Sequence, residues 1–239
     1  MMNRQDVFER LVVVLPSYEP DRKLLKVVEE LVESGFSKIV IVDDGSGGSF
    51  RAIFEKADSY EQTYVIHHDV NKGKGRALKT AFEFALKNFS SIEGVITIDG
   101  DGQHLTKDII ACGEKMLELK NSVVLGSRNF NDPSVPARSV AGNKSTSRLF
   151  RMIFRIRIND TQTGLRAIPV CFLGKFCEIE GERFEYETNM LLWMKRWKIN
   201  FFEQPITTVY DPDDYSSHYH ALKDSLRISK IMIKFLFKR

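Results

Sequence analysis

LVVVLPSYEPDRKLLKVVEELVESGFSKIVIVDDGS, residues 11–46, decides the fold. Residues 11–15 are an unbroken, mostly β-branched apolar run, a buried strand that ends at Pro16. Between 21 and 34, Leu24, Leu25, Val27, Val28, Leu31 and Val32 recur at helical spacing, and Gly35 supplies the stop. Residues 38–42, KIVIV, read as a second buried strand. The same alternation continues outward. It predicts helices over 50–58, 75–88 and 107–120, and strands over 64–67, 94–98 and 122–125. Strands alternating with helices specify an α/β fold with a parallel, helix-covered sheet. The second half is less regular. It reads as a basic helical stretch over 139–157, a strand near 163–168, a helix over 185–197, a strand over 199–209 and a basic amphipathic tail from 221. No linker or repeat interrupts the pattern, so the expectation is a single domain over 1–239.

The composition excludes several classes. With 239 residues, 43% apolar and 28% charged, the chain is globular rather than disordered or fibrous. A net charge of +3 is too small to mark a nucleic-acid partner. Cys112, Cys171 and Cys177 form neither a CxxC pair nor zinc-type spacing, which suits a reduced compartment and ordinary packing. No apolar run reaches the ~18 residues of a membrane span, and MMNRQDVFER has no signal-peptide core. The chain is therefore expected neither to span a membrane nor to be exported by that route. Nothing in the sequence bears on its oligomeric state.

Ligands of parallel α/β sheets bind beyond the carboxyl ends of the strands, and three polar clusters fall there. In Ile98–His104, IDGDGQH, alternation puts Asp99, Asp101 and Gln103 on one side of an extended segment. Such an oxygen set suits Mg²⁺ or Mn²⁺ with substrate phosphates as co-ligands. A solvated Asp-Gly turn is the other reading. Asp43-Asp44-Gly45-Ser46 offers an acid for a ribose or base, or a helix N-cap. Asn71–Arg76, NKGKGR, combines glycines, cations and a helix start, an anion site or a basic turn. It lacks the GxxxxGK[ST] pattern, and Leu78 replaces the third glycine of a dinucleotide fingerprint. Taken together the clusters describe a nucleoside-diphosphate pocket with a divalent ion.

VVVLPSYEP, IVDDGS, NKGKGRAL, DGDGQH, GSR, DTQTGLRA and ERFEYET, in this order, resemble the inverting nucleotide-sugar glycosyltransferases of family 2. The branch resembled is that of dolichol-phosphate mannose synthase and polyprenyl-phosphate glucosyltransferases, over residues 11–230 or so. The resemblance implies the GT-A fold, a Rossmann-like, mostly parallel mixed sheet with helices on both faces. It implies that Pro16, Tyr18, Glu19 and Asp43 hold base and ribose with Asp44 beside them. It further implies that Asp99 and Asp101 serve diphosphate and metal, with Gln103 a further ligand and Lys72 and Lys74 helping to hold the leaving charge. Arg128, Arg138 and Asn143 follow the fifth strand, and arginines here in the resembling branch meet an acceptor phosphate or the leaving diphosphate. Trp193–Trp197 ends in Arg-Trp without the Gln of the QxxRW signature, which speaks against processive polysaccharide synthases.

From Arg138 to Arg157 six basic residues stand without an acid, interleaved with Leu149, Phe150, Met152, Ile153, Phe154 and Ile156. As a helix, this stretch would put Arg148, Arg151 and Arg155 on one face. The 221–239 tail is similar in character, and both suit an interfacial helix on anionic lipid. A helix packed on the core is the competing expectation. The resulting functional expectation is metal-dependent inverting transfer of a hexose, from UDP-glucose foremost, to a polyprenyl phosphate. The enzyme would sit peripherally on the cytoplasmic side of the membrane. Two rivals are a hydroxyl acceptor with Asp160 or Glu185 as base, and a non-catalytic nucleotide-sugar binder.

Overall fold

A computed structural model describes residues 4–132, 135–209 and 221–237. A helix α1 (Arg4–Arg10) leads into β1 (Leu11–Ser17), followed by α2 (Lys23–Ser34), β2 (Ile39–Asp43), α3 (Arg51–Asp58) and β3 (Thr63–His67). Then come α4 (Lys74–Asn88), β4 (Gly94–Thr97), α5 (Thr106–Leu119), β5 (Ser122–Ser127) and α6 (Ala137–Leu149). After a π-helical turn (Phe150–Phe154) come β6 (Arg166–Pro169), α7 (Val170–Cys177), α8 (Glu185–Arg196), β7 (Asn200–Pro205) and α9 (Ala221–Phe237).

The seven strands form one sheet in the order β3-β2-β1-β4-β6-β5-β7. The sheet is mixed, because β6 runs antiparallel to both β4 and β5 while the other pairs are parallel. Register is set by the apolar runs: Val13 lies opposite Ile39, and Ser17 opposite Asp43. Strand side chains alternate between faces, so β1 feeds two cores. Val12 and Val14 pack with α4, α7 and α8 on one side. Val13 and Leu15 pack with α1, α2, α3 and α5 on the other. Helices therefore cover both faces.

Two helices escaped the sequence reading. In α1 only Val7 and Phe8 are apolar and buried, too few to show a period. The α7 segment, VCFLGKFC, is short, continuous and apolar, and periodicity cannot tell such a run from a strand. The basic stretch departs from expectation more sharply. It is helical only to Leu149, and the π-helical turn ends with Arg155 in the left-handed region at φ +54°. The Ile156 N–H donates to the Phe150 carbonyl at 3.1 Å and closes the turn. Arg148, Arg151 and Arg155 thus do not share one helix face.

In α9, Met232 is buried, and Ile228, Ile231 and Phe235 pack against the core. The Arg196 guanidinium lies 4.3 Å from the centre of the Phe235 ring, and Trp193 meets the same ring edge-on at 6.0 Å. The Trp-Met-Lys-Arg-Trp segment is therefore the seat of α9. Residues 238–239 of the tail lie outside the described residues, as do the side chains of 221–226 and of Arg138. Among the described residues no helix is long and apolar enough to cross a membrane. Burial pushes Cys112 up to about 12 and Cys177 up to about 11, so both are thiols at neutral pH, as packing residues should be.

Leu15 is fully buried in β1, between two hydrogen-bonded strands. Leu15→Ala is expected to lower the free energy of urea unfolding by about 2–5 kcal/mol.

Candidate functional site

The carboxyl ends of β1 and β4 and the start of α4 open onto a cavity of about 570 Å³. Pro16, Tyr18, Glu19, Asp44, Lys74, Asp99, Asp101 and Gln103 all contribute to its wall. Asp43 and Lys72 do not. The Asp43 carboxylate accepts the Ser46 N–H at 2.8 Å and meets His67 Nδ1 at 2.8 Å. Lys72 is exposed. Asp44 is almost fully engaged, accepting the Lys72 and Gly73 N–H groups at 2.9 and 2.7 Å while His68 Nδ1 lies 2.8 Å away. It ties the turn after β2 to the NKGKG loop. His67 and His68 thus act as partners of the two acids. Glu19 adopts φ +48°, and its N–H donates to Ser46 Oγ at 2.8 Å. Its carboxylate, hydrogen-bonded to Tyr18, holds the Tyr18 hydroxyl above its ordinary value.

Lys74 organises the other side. Its Nζ lies 2.7 Å from Asp99 Oδ1 and 2.9 Å from Glu187 Oε2. Burial alone would lower the Lys74 pKa, but the two carboxylates overturn this and raise it. Burial alone would likewise raise Asp99. The Lys74 charge, with His104 nearby, instead holds Asp99 well below the carboxylate range. His104 Nε2 is 3.6 Å from Asp99 Oδ2, too far for a hydrogen bond, and both ring nitrogens are buried without a partner. Asp101 moves the opposite way, raised by burial and by the Asp99 charge against one N–H from Gln103 at 2.9 Å.

The NKGKGR loop reads in sequence as an anion site or a basic turn; of its three cations, Lys74 and Arg76 face carboxylates and Lys72 is exposed. Lys74 pairs as above, and Arg76 grips Glu182 through two bonds of 2.7 and 2.8 Å. Glu182 also accepts Lys79 at 3.1 Å, and Arg183 donates to Asn71 at 2.9 Å. Glu185 receives the Glu182 and Arg183 N–H groups at 3.1 and 3.2 Å and so shapes the entry to α8. Glu187, two residues further on in the ERFEYET motif, is the second carboxylate partner of Lys74, a role the sequence did not assign it.

The residues before β6 join this cavity to a second one of about 750 Å³, lined in part by Arg128, Asn143, Lys144, Arg148, Arg151 and Glu203. Arg128 donates to the fully buried Asp160 at 2.7 and 3.0 Å. Asn143 accepts the Thr161 N–H at 3.1 Å. Glu203, which the sequence did not single out, accepts the Asn159 and Asp160 N–H groups at 2.8 and 3.1 Å. At the far end of the segment, Gly164 lies against Asp99: a Cβ there would overlap the carboxylate. Thr97 donates to the Gly164 carbonyl at 2.8 Å.

The donor set fits a hard divalent cation. It is all oxygen, and Asp101 keeps most of its hydrogen-bonding capacity open beside Gln103. Among the described residues no group of three or more His, Cys, Asp or Glu is placed to hold a metal unaided.

The glycosyl transferase family 2 model matches residues 12–176. A UDP-N-acetylglucosamine–dolichyl-phosphate N-acetylglucosaminyltransferase of Methanococcus voltae is 27% identical over 217 residues, covering 84% of this chain and 86% of its own. A dolichyl-phosphate β-glucosyltransferase of Saccharomyces cerevisiae is 26% identical over 255 residues, covering 93% and 73%. In fold, the chain is similar to glucosyl-3-phosphoglycerate synthase from Mycobacterium tuberculosis, whose structure holds Mn²⁺ and UDP-glucose. That similarity has a TM-score of 0.67 at 13% identity, over 97% of this chain and 79% of the other.

Gly164→Ala places a methyl group where the Asp99 carboxylate sits, and overpacking of this kind costs about 1–3 kcal/mol. Binding of a nucleoside diphosphate, followed by calorimetry, is expected to weaken while the circular dichroism spectrum stays native. The depressed Asp99 pKa adds stability that is present above the ordinary carboxylate value of 3.8 and is lost as pH falls through the folded value. The stability difference between wild type and Asp99→Asn, measured in urea, is therefore expected to be flat from about pH 5 to about pH 9. It should shrink once the pH drops below 3.8.

Proposed function

The chain belongs to glycosyl transferase family 2 and is a glycosyltransferase with the GT-A fold, and from this premise we propose that it transfers a hexose from a UDP-sugar to a polyprenyl phosphate at a membrane surface. The observation that carries the reading is a pair of cavities, one walled by Asp99 and Asp101, the other by Arg128 and further cations, with the chain from Asn159 on the second to Gly164 against Asp99 running between them. A diphosphate donor suits the first and a phosphate acceptor the second.

In this reading Asp101, with Gln103 and Asp99 beside it, holds a divalent cation. When bound, that ion supplies charge neutralisation and orientation for the leaving diphosphate. Lys74 fixes the Asp99 carboxylate, and Tyr18, Glu19 and Pro16 shape the base and ribose end, with Asp43 bracing the turn that holds Ser46. Arg128, set by Asp160, meets the acceptor phosphate together with Lys144 and Arg148. A phosphate monoester, with a second pKa near ~6, is already largely ionised at neutral pH. Its oxygen attacks the anomeric carbon opposite the leaving group and inverts it, and positioning does most of what a base would do.

The hydroxyl-acceptor alternative requires a free base. Asp160 is bound by Arg128 and by the Gln162 N–H at 3.0 Å. Glu185 takes two N–H groups on one oxygen while the other is buried without a hydrogen-bond partner, but it lines neither cavity, which favours the phosphate acceptor. The similarity to dolichyl-phosphate sugar transferases supports the same acceptor class; the location proposed with it is peripheral, on the cytoplasmic side of the membrane. Glucose remains the proposed sugar, supported by the yeast relative, and the Methanococcus relative makes N-acetylglucosamine the second donor to test.

The test is transfer of radiolabel from UDP-glucose and UDP-N-acetylglucosamine into organic-soluble product, with a polyprenyl phosphate and Mn²⁺ or Mg²⁺. Asp101→Asn is expected to lower transfer roughly a hundredfold or more, and chelation is expected to do the same. Arg128→Ala should cut transfer yet spare UDP affinity. Turnover on a phosphate-free acceptor, or metal-independent turnover, would refute the reading.

A further inference from the structure

Next to the Arg128 cavity lies a separate opening of about 470 Å³ lined by Arg151, Arg155 and Arg157. None of these three side chains has an ion pair or hydrogen-bond partner among the described residues. Arg155 and Arg157 play no part in the transfer reaction outlined above. Their placement is a consequence of the backbone. The π-helical turn ends at Arg155, whose left-handed conformation is uncommon for a residue other than glycine and has to be held by its surroundings. Burial then alternates: Phe154, Ile156 and Ile158 are inside, and Arg155 and Arg157 are exposed. Both guanidinium groups line the one opening.

Exposed apolar side chains accompany them. Met152 is 64% exposed, and Ile153 beside it is also largely exposed. The Phe154 ring lies 6.0 Å from Phe235 of α9, which anchors the turn to that helix. Guanidinium groups bind phosphate through paired N–H donors. Apolar side chains between basic ones enter the boundary between head groups and acyl chains.

We propose that Arg151, Arg155 and Arg157 form a docking site for the phosphate head groups of bilayer phospholipids, separate from the cavity assigned to the acceptor phosphate, with Met152 and Ile153 entering the acyl boundary. The proposal rests on the lipid-acceptor reading in one respect: both turn the same edge of the molecule to the bilayer. Arg151 stands on the wall of both cavities, so a docked bilayer presents its lipids at the mouth of the Arg128 cavity.

The experiment uses the full chain and phosphatidylcholine vesicles with and without phosphatidylglycerol. Arg155→Gln/Arg157→Gln is expected to reduce partition onto the anionic vesicles roughly thirty-fold, the same direction as high salt on wild type. Arg155→Lys/Arg157→Lys is expected to recover most of the binding, and Ile153→Ser to weaken binding to both vesicle types. UDP affinity and transfer to a short-chain, water-soluble polyprenyl phosphate are expected to stay at wild-type level in the Gln variant, which also shows that it is folded. Undiminished sedimentation of the Gln variant would overturn the proposal. So would binding of inorganic phosphate at this cluster by a wild type that ignores vesicles. If wild type uses no polyprenyl phosphate and the Gln variant still loses the vesicles, the acceptor reading falls and this site stands. If the acceptor is used and the Gln variant still sediments, this site falls and the acceptor reading stands.

Discussion

Lys74 holds together a site that would otherwise fly apart electrostatically. It starts α4, while Asp99 comes after β4 and Glu187 sits in the first turn of α8, so one ammonium joins three elements. Carboxylates this close and this shielded from water repel unless a cation lies between them, and removing that cation would leave buried charge uncompensated. Around the bridge, Arg76 and Lys79 fasten Glu182, and Arg183 fastens Asn71. The NKGKG loop, the DGDG turn and the entry to α8 consequently form one rigid wall. Asp101 stands at its edge with its pKa raised, a carboxylate that gains from the arrival of a positive ion.

The second constraint is the direction of β6. A strand that runs backwards between β4 and β5 begins where they end: Arg166 lies opposite both Thr97 and Leu125. The chain just before it, 159–165, therefore crosses the same edge of the sheet as the polar turns after β4 and β5. This single reversal carries one segment from Asn159, on the wall of the Arg128 cavity, to Gly164, against the Asp99 carboxylate. Glu203 and Asn143 hold one end of the segment, and Thr97 holds the other. Arg166 itself is almost wholly buried and donates to the Thr163 and Glu187 carbonyls at 3.2 and 2.9 Å. It links the segment beside the Arg128 cavity to the helix that carries the partner of Lys74.

The basic stretch after β5 shows how a local signal can be right in composition and wrong in geometry. Its arginines and apolar residues alternate as an interfacial segment should, yet the helix stops at Leu149 and a π-helical turn redirects the chain beyond it. Arg148 and Arg151 then face the Arg128 cavity, while Arg155, at the left-handed end of the turn, and Arg157 are exposed beyond it. Helical spacing presumed a regularity that Phe150 and Phe154, buried in the core, do not allow.

From the sequence alone came the α/β alternation, most strand and helix positions, and the clustering of polar turns at the strand ends, because these depend on apolar periodicity and short-range turn chemistry. The motif set, matched in order, also identified the family and a glycosyltransferase. Tertiary structure alone decided which groups meet: that Lys74 faces Asp99 and Glu187, that Asp44 is engaged by the NKGKG loop, that Glu203 and Asn143 hold the acceptor-side segment, and that β6 is reversed. These contacts join residues as far apart as Lys74 and Glu187, and no local pattern encodes them. They arise from strand order, strand direction and the need of each buried charge for a partner, which exist only once the whole chain has packed.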